Sequence, residues 1–261
     1  MTQLAGLPAT LHRQVQRLCD DLVTVLGHEI AVVVHGSVAL GDFQSDQSDL
    51  DVLVFGAGQP DGAQMRQLAQ VVLAVSGCPA PLEISLLDVA TLAAWVHPAP
   101  FYFHFSEHWR TLVQTALTDP AHDWLVVRHD PDLTAHLMVA HRHGLLVYGR
   151  CTLPEPTAAD AMAAVWYDIA AAPEQVVDEP VYVILNLCRT LHWLRSGVVL
   201  SKGAGGRAIL PELTGETRQV VATVLAMRDG HTTPLPQVDA LRRAAQHLLD
   251  AIERLHPPRV D

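Results

Sequence analysis

His35-Gly36-Ser37-Val38-Ala39-Leu40-Gly41-Asp42-Phe43-Gln44-Ser45-Asp46-Gln47-Ser48-Asp49-Leu50-Asp51-Val52-Leu53-Val54-Phe55 is the stretch on which the reading of this chain turns. It leaves one apolar run, Ile30 to Val34, through a small-residue turn at Gly36-Ser37, and enters a second apolar run at Leu50. Successive side chains of a strand point to opposite faces, so Asp49 and Asp51 are expected to project to the same side. Two carboxylates that close repel, and one tends to take a proton unless a cation intervenes. Mg²⁺ favours one or two carboxylates together with phosphates, so the pair points to a bound nucleotide. The spacing does not fit an EF-hand loop. The plain alternative is a turn followed by a capped strand.

Working outward, apolar residues before the stretch fall at helical spacing from Pro8 to about Leu26, and Glu29 to His35 reads as a buried strand. Beyond it, Ala63 to Ser76 reads as a helix and Leu82 to Leu87 as a third strand. Strand, helix, strand, helix, strand argues for an α/β sheet. Glu83 and Ser85 share one face of that third strand, opposite Leu82, Ile84 and Leu86. Glu83 is either a strand-end carboxylate at the surface or a third carboxylate facing Asp49 and Asp51. Further on, a short helix is expected from Asp88 to Val96, an aromatic-rich strand or loop over Phe101 to Arg110, a helix over Leu133 to His143 and an edge strand at Leu145 to Gly149.

The composition shifts at Arg150, and Pro154-Glu155-Pro156 reads as a linker. After it the pattern is helical: about Thr157 to Ala170, Glu179 to Arg195, Thr217 to Arg228 and Gln237 to His256. The expected fold is therefore an α/β chain, with a mixed-sheet domain over residues 1–152 followed by an all-α helical-bundle domain over 153–261.

The chain has 261 residues, 49% of them hydrophobic, enough for one large domain or two modest ones. A net charge of −11 argues against nucleic acid as a partner, because phosphate contacts need a basic face. It suits a cationic small molecule instead. Cys19, Cys78, Cys151 and Cys188 have neither metal-ligand nor disulfide-framework spacing, which fits reduced thiols in the cytoplasm. Met1 to Leu7 lacks the features of a signal peptide, no run is long enough to span a membrane, and a frayed tail is expected at Pro257 to Asp261. His141 and His143, two apart on a helix, diverge and make no zinc site.

With these residues in view, the chain resembles the polymerase-β-like nucleotidyltransferase superfamily. More closely it is similar to the aminoglycoside nucleotidyltransferases that adenylylate streptomycin and spectinomycin. The likeness rests on the Gly36-Ser37 turn, Asp49-Leu50-Asp51, the Leu82-Glu83-Ile84 strand, Trp95 with Pro98, and Phe105-Ser106-Glu107. It continues through Asp178-Glu179 heading a helix, Arg189 within that helix and Lys202 after Ser196-Gly197. It implies AMP transfer from ATP to a drug hydroxyl with release of pyrophosphate, ATP as co-substrate, two Mg²⁺ ions and a monomeric protein.

The residue roles follow from the same likeness. Glu83 becomes the catalytic base and, with Asp49 and Asp51, a metal ligand. Gly36, Ser37, Ser48, Arg189 and Lys202 bind the nucleotide. Asp178, Trp109, Glu107 and Glu174 contact the cationic acceptor. Without the likeness, Asp178, Tyr182 and Arg189 read as one face of a helix with ordinary capping and surface charge. Ser201-Lys202-Gly203-Ala204-Gly205-Gly206-Arg207 has the wrong order for a Walker A loop and reads as a flexible segment presenting Lys202. Trp95 and Trp109 serve equally as core packing. Relatives that accept streptomycin carry a Trp and an Asp shortly before the Asp-Glu helix. Here the stretch is Ile169 to Gln175, where Glu174 supplies an acid and no Trp occupies the matching place. Two other classes stay open: a nucleotidyltransferase acting on a different metabolite or a protein, and a non-catalytic, antitoxin-like module.

Overall fold

A computed structural model describes residues 8–45 and 47–256, so the expectations for Met1 to Leu7 and for the Pro257 to Asp261 tail lie outside the described residues. The chain divides into two compact units, the first ending at Ala161 and the second beginning at Met162.

The first unit is built on a five-stranded sheet. Its strands are β1 (Ile30–Val34), β2 (Leu50–Gly56), β3 (Leu82–Asp88), β5 (Phe103–Phe105) and β7 (Leu145–Tyr148), in the order β5-β3-β2-β1-β7. β2 and β3 run parallel, while β1–β2, β1–β7 and β3–β5 are antiparallel, so the sheet is mixed. A separate two-stranded ribbon pairs β4 (Ala99–Phe101) with β6 (Arg128–Asp130).

Alternation along the strands decides what each face carries. On one face Val32, Val34, Val52, Val54, Leu82, Ile84 and Leu86 join Leu11, Leu18 and Leu22 of α1 (Ala9–Leu26) and Leu68 and Val72 of α3 (Gly62–Val75) in a single core. On the other, Val33, Leu53, Phe55 and Leu87 meet Leu133 and Ala140 of α5 (Leu133–His143). Asp51, Glu83 and Ser85 alternate onto this second face, at the end where β2 and β3 begin.

Local chemistry fixes the helices. Asp61 and Gln64 form a reciprocal capping box at the start of α3, with bonds of 2.8 and 3.0 Å. Gln14, buried on the apolar face of α1, donates to the carbonyls of Val75 and Ala80 at 3.0 and 2.6 Å and accepts from the Ala80 N–H at 3.1 Å. It thereby ties α1 to the loop after α3. α2 is one turn, Gly36–Ala39, and α4 covers Arg110–Thr118. α4 and β6 were not foreseen as separate elements, because both are short and α4 buries only Val113 and Ala116. The helix expected from Asp88 to Val96 shrinks to a 3₁₀ turn at Val89–Leu92.

The second unit, among the described residues, carries helices and no strand: α6 (Ala158–Ile169, which begins just before the division), α7 (Ala172–Gln175), α8 (Pro180–Ser196), α9 (Lys202–Ile209), α10 (Gly215–Arg228) and α11 (Val238–Leu255). α8 is the central helix, burying Val183, Ile184, Leu185, Leu187, Cys188 and Leu191, with α9, α10 and α11 packed on it. α11 turns Leu241, Ala245, Leu248 and Ile252 inward at helical spacing.

Two expectations are corrected here. The glycine-rich segment from Ser201 is no flexible loop; from Lys202 it is helix α9. Ser201 caps it, accepting from the Ala204 N–H at 3.1 Å. Its glycines serve contact: a Cβ at Gly205 would lie 2.5 Å from the Arg189 Cα, and one at Gly206 would lie 2.6 Å from Leu185 Cδ2. Each helical glycine costs about 1 kcal/mol of propensity. Here the close approach of α9 to α8 offsets it. The second correction concerns Asp178, which does not head α8. The helix starts at Pro180, whose missing N–H and fixed φ suit the first helical position, and Asp178 is exposed before it.

Candidate active site

The β1 chain leaves the sheet at His35 and must turn at once. Gly36 takes φ +61°, and a Cβ built there would stand 1.6 Å from Asp51 Oδ2. Both facts demand glycine, one for conformation and one for room. The His35 N–H donates to the Asp51 carbonyl at 2.9 Å, which locks the turn against β2. Ser37 follows, and its Oγ is buried with no hydrogen-bond partner. A buried polar atom left unsatisfied in a native fold calls for a missing partner, and a phosphate oxygen is one that fits.

Asp51 and Glu83 are directly opposite in the parallel register of β2 and β3, on the same face. Glu83 thus lies beside Asp51, one of the two aspartates it was expected to face. Asp49 is exposed and precedes β2, which begins at Leu50, so the two aspartates do not alternate within one strand as expected. Among the described residues, no three His, Cys, Asp or Glu gather closely enough to form a metal site by themselves. This donor set still fits Mg²⁺, which takes one or two carboxylates and completes its shell with water and phosphate.

A histidine that the sequence did not single out stands over the carboxylates. α5 places His136 Nε2 3.0 Å from Asp132 Oδ2 and 4.0 Å from Glu83 Oε1, with its ring centroid 5.1 Å from that of His35. Burial works against its charge, but Asp132, Glu83 and Asp51 outweigh burial and raise its pKa to about 10. His35, 3% exposed, goes the other way: burial first, then the neighbouring His136, push its pKa well below the usual value. One histidine is thus cationic and one neutral, and the cation offsets the repulsion between the carboxylates. The signal available in sequence was slight. His136 lies four residues after Asp132, one turn on a helix, which is also common among surface residues.

The edge of the sheet adds an aromatic group. His104 Nδ1 lies 2.9 Å from Ser85 Oγ, and burial lowers its pKa against the opposing pull of Glu83 and Asp130. Trp109 stands edge-on to His104 at 6.4 Å and remains 37% exposed, a rigid apolar surface open to a ligand. Glu107 differs. Arg110 donates to both its oxygens at 2.6 and 2.8 Å and Ser76 Oγ donates to Oε1, which makes it a latch between the loop and the end of α3. Ser48 is buried, and its Oγ accepts from the Gln44 N–H at 3.0 Å, so it shapes the loop before Asp49.

In the second unit, Arg189 on α8 donates through Nε to Asn186 Oδ1 at 2.6 Å. Lys202, the first residue of α9, holds its Nζ 3.9 Å from the centroid of the Tyr182 ring. Asp178 and Glu174 are both exposed. Trp95 is anchored by a 3.0 Å bond from Nε1 to Thr134 Oγ1, consistent with packing.

The Gly36-Ser37 turn and the aspartate it sits on fall within residues 13–75, which match the family model of the nucleotidyltransferase domain. Residues 153–251 match the C-terminal domain of aminoglycoside adenylyltransferases. The two models match consecutive parts of the chain, a nucleotidyltransferase domain followed by the C-terminal domain of an aminoglycoside adenylyltransferase. Among solved structures, it resembles the spectinomycin adenyltransferase AAD(9) from Enterococcus faecialis, crystallised with ATP and spectinomycin. The two are 19% identical with a TM-score of 0.79, over 93% of this chain and 99% of that one. No helix among the described residues is long and apolar enough to cross a membrane.

Proposed function

We propose that this protein transfers AMP from ATP to a hydroxyl of a cationic aminocyclitol or aminoglycoside, spectinomycin or streptomycin, and releases pyrophosphate. One observation carries the reading: Asp51 opposite Glu83 in register, with the Gly36-Ser37 turn packed onto Asp51. The similar structure with ATP and spectinomycin supports the choice of donor and acceptor class. The expected location is the cytoplasm, which supplies ATP.

Glu83 is assigned as the base. It takes the proton of the acceptor hydroxyl as that oxygen forms its bond to the α-phosphorus. The bond from the α-phosphorus to the bridging oxygen breaks, and pyrophosphate carries the electron pair away. Gly36 allows the backbone to approach the phosphates, and the Ser37 hydroxyl donates to one of their oxygens. Arg189 and Lys202 are assigned to the phosphates as fixed cations. Asp49 and Asp51, with Glu83 the third candidate ligand, would hold Mg²⁺, which would supply further charge against the phosphates. Trp109 offers a stacking surface to the acceptor, and Asp178 and Glu174 offer carboxylates to its ammonium groups.

Purified protein with ATP, Mg²⁺ and a drug panel tests the reading. The expected result is pyrophosphate release with spectinomycin or streptomycin. ATP binding without release in the presence of either drug would rule out that acceptor assignment.

A further inference from the structure

Asp168, near the end of α6, belongs to none of the motifs above, yet it joins a network that includes both cations assigned to the nucleotide. Tyr182 donates its O–H to Asp168, with distances of 3.1 Å to Oδ1 and 3.3 Å to Oδ2. Asn186, 2% exposed, donates from Nδ2 to Asp168 Oδ2 at 2.6 Å. The same amide accepts from Arg189 Nε at 2.6 Å, and the Tyr182 ring carries Lys202 on its face at 3.9 Å.

The chemistry of this relay is directional. An ionised carboxylate only accepts, so it selects the NH₂ end of Asn186. The amide oxygen must then face Arg189. The guanidinium is held by a neutral oxygen, so its orientation is fixed while its charge is not cancelled as a direct carboxylate pair would cancel it. The second branch works through the ring. An O–H donated to a carboxylate fixes the tyrosine and enriches its π-face, which strengthens its hold on an ammonium. A carboxylate one residue removed therefore orders two cations without pairing with Arg189.

We infer that Asp168 is a positioning residue that aims Arg189, through Asn186, and Lys202, through Tyr182, at the phosphates of the nucleotide. The inference rests on the assignment of Arg189 and Lys202 to the nucleotide, and the test separates the two.

Calorimetric titration of Mg·ATP into the full chain needs no acceptor. Arg189→Gln reports on the assignment, and Asp168→Asn on the relay. Asp168→Asn is expected to weaken Mg·ATP binding about tenfold, the scale of one charge-assisted contact. The Asp168→Asn/Arg189→Gln double variant is expected to lose less than the sum of the two single losses, because the Arg189 branch is already gone and only the Lys202 branch remains for Asp168 to act on. Asp168→Glu should recover part of the affinity, and the KM for the drug should stay unchanged in all Asp168 variants. Asp168→Asn binding Mg·ATP like the wild type, while Arg189→Gln binds weakly, overturns the relay and leaves the assignment standing. Losses that add in full, or a raised drug KM with ATP affinity intact, overturn it equally. An Arg189→Gln protein that binds Mg·ATP normally removes the assignment and the relay together. If Asp168→Asn fails to fold, Asp168→Glu and Tyr182→Phe carry the test. Tyr182→Phe keeps the ring, loses the donor, and is expected to cost about two- to fivefold in ATP affinity. Unchanged affinity in both overturns the inference.

Discussion

Glu83 sits between Leu82 and Ile84, which are 0% and 1% exposed, while its own carboxylate reaches the face shared with Asp51. Pleating alone sets that arrangement, which is why the sequence could place it: a lone acid in an apolar strand has to emerge on one face. Glu83→Gln keeps the side chain's volume and removes its capacity to take a proton. The variant is expected to bind ATP normally and to lose roughly 10²–10⁴-fold in kcat. Nucleotide titration beside pyrophosphate release checks this, and near-normal turnover would end the base assignment. Gly36→Ala is a harsher change, since its Cβ would overlap Asp51 Oδ2 at 1.6 Å and its φ is +61°. Transfer and ATP binding should fall together, which distinguishes it from Glu83→Gln. His136 and Asp168 are the residues that sequence reading misses. Their roles depend on partners far along the chain, Glu83 for one and Asn186 for the other, and no local period encodes those meetings.

Elements were most legible where a single period ran for several turns. α1 and α11 bury one stripe each, and their residues fall at helical spacing over eighteen positions. α9 was not legible, because the glycines that read locally as a loop are spent on a long-range contact. Gly205 meets the Arg189 backbone, and no local rule anticipates that α8 will be there. Gly205→Val should force α9 off α8 and destabilise the second unit by about 1–3 kcal/mol, the usual cost of overpacking. A lowered denaturant midpoint with the far-ultraviolet spectrum retained would show it. Gln14 makes the matching case in the first unit, a buried amide with three hydrogen bonds, one to Val75 at the end of α3 and two to Ala80 in the loop after it. Gln14→Leu leaves the Ala80 N–H without its acceptor and takes one of two donors from the Val75 and Ala80 carbonyls, which still accept from Cys78 and Gly77. It is expected to cost about 1–3 kcal/mol in equilibrium unfolding, and an unchanged midpoint would mean that water reaches these groups.

At the scale of the whole chain, length and composition allowed one large domain or two modest ones, and each of the two units encloses a thiol of its own. Cys19 is 5% exposed in the first unit and Cys188 is 0% exposed in the second, whereas Cys78 is exposed. Burial raises the Cys188 thiol to about 12. Burial, with Asp20 adding to it, raises that of Cys19 to about 11. Thiolate is the reactive form, so at pH 8 fewer than about one in a thousand of either thiol is reactive, even before access is considered. Brief alkylation of the native protein at pH 8, followed by peptide mass analysis, should therefore find label at Cys78 and essentially none at Cys19 or Cys188. Raising the pH from 7 to 9 should not change that, since both folded-state values lie above the window. With denaturant present, label should appear at each buried cysteine only as its own unit opens, so Cys19 reports the mixed sheet and Cys188 the helical unit. Coincident curves would mean one cooperative transition, and separated curves would give each unit its own stability. Native-state labelling of Cys188 at the rate of Cys78 would contradict the packing of α8 at the centre of the second unit.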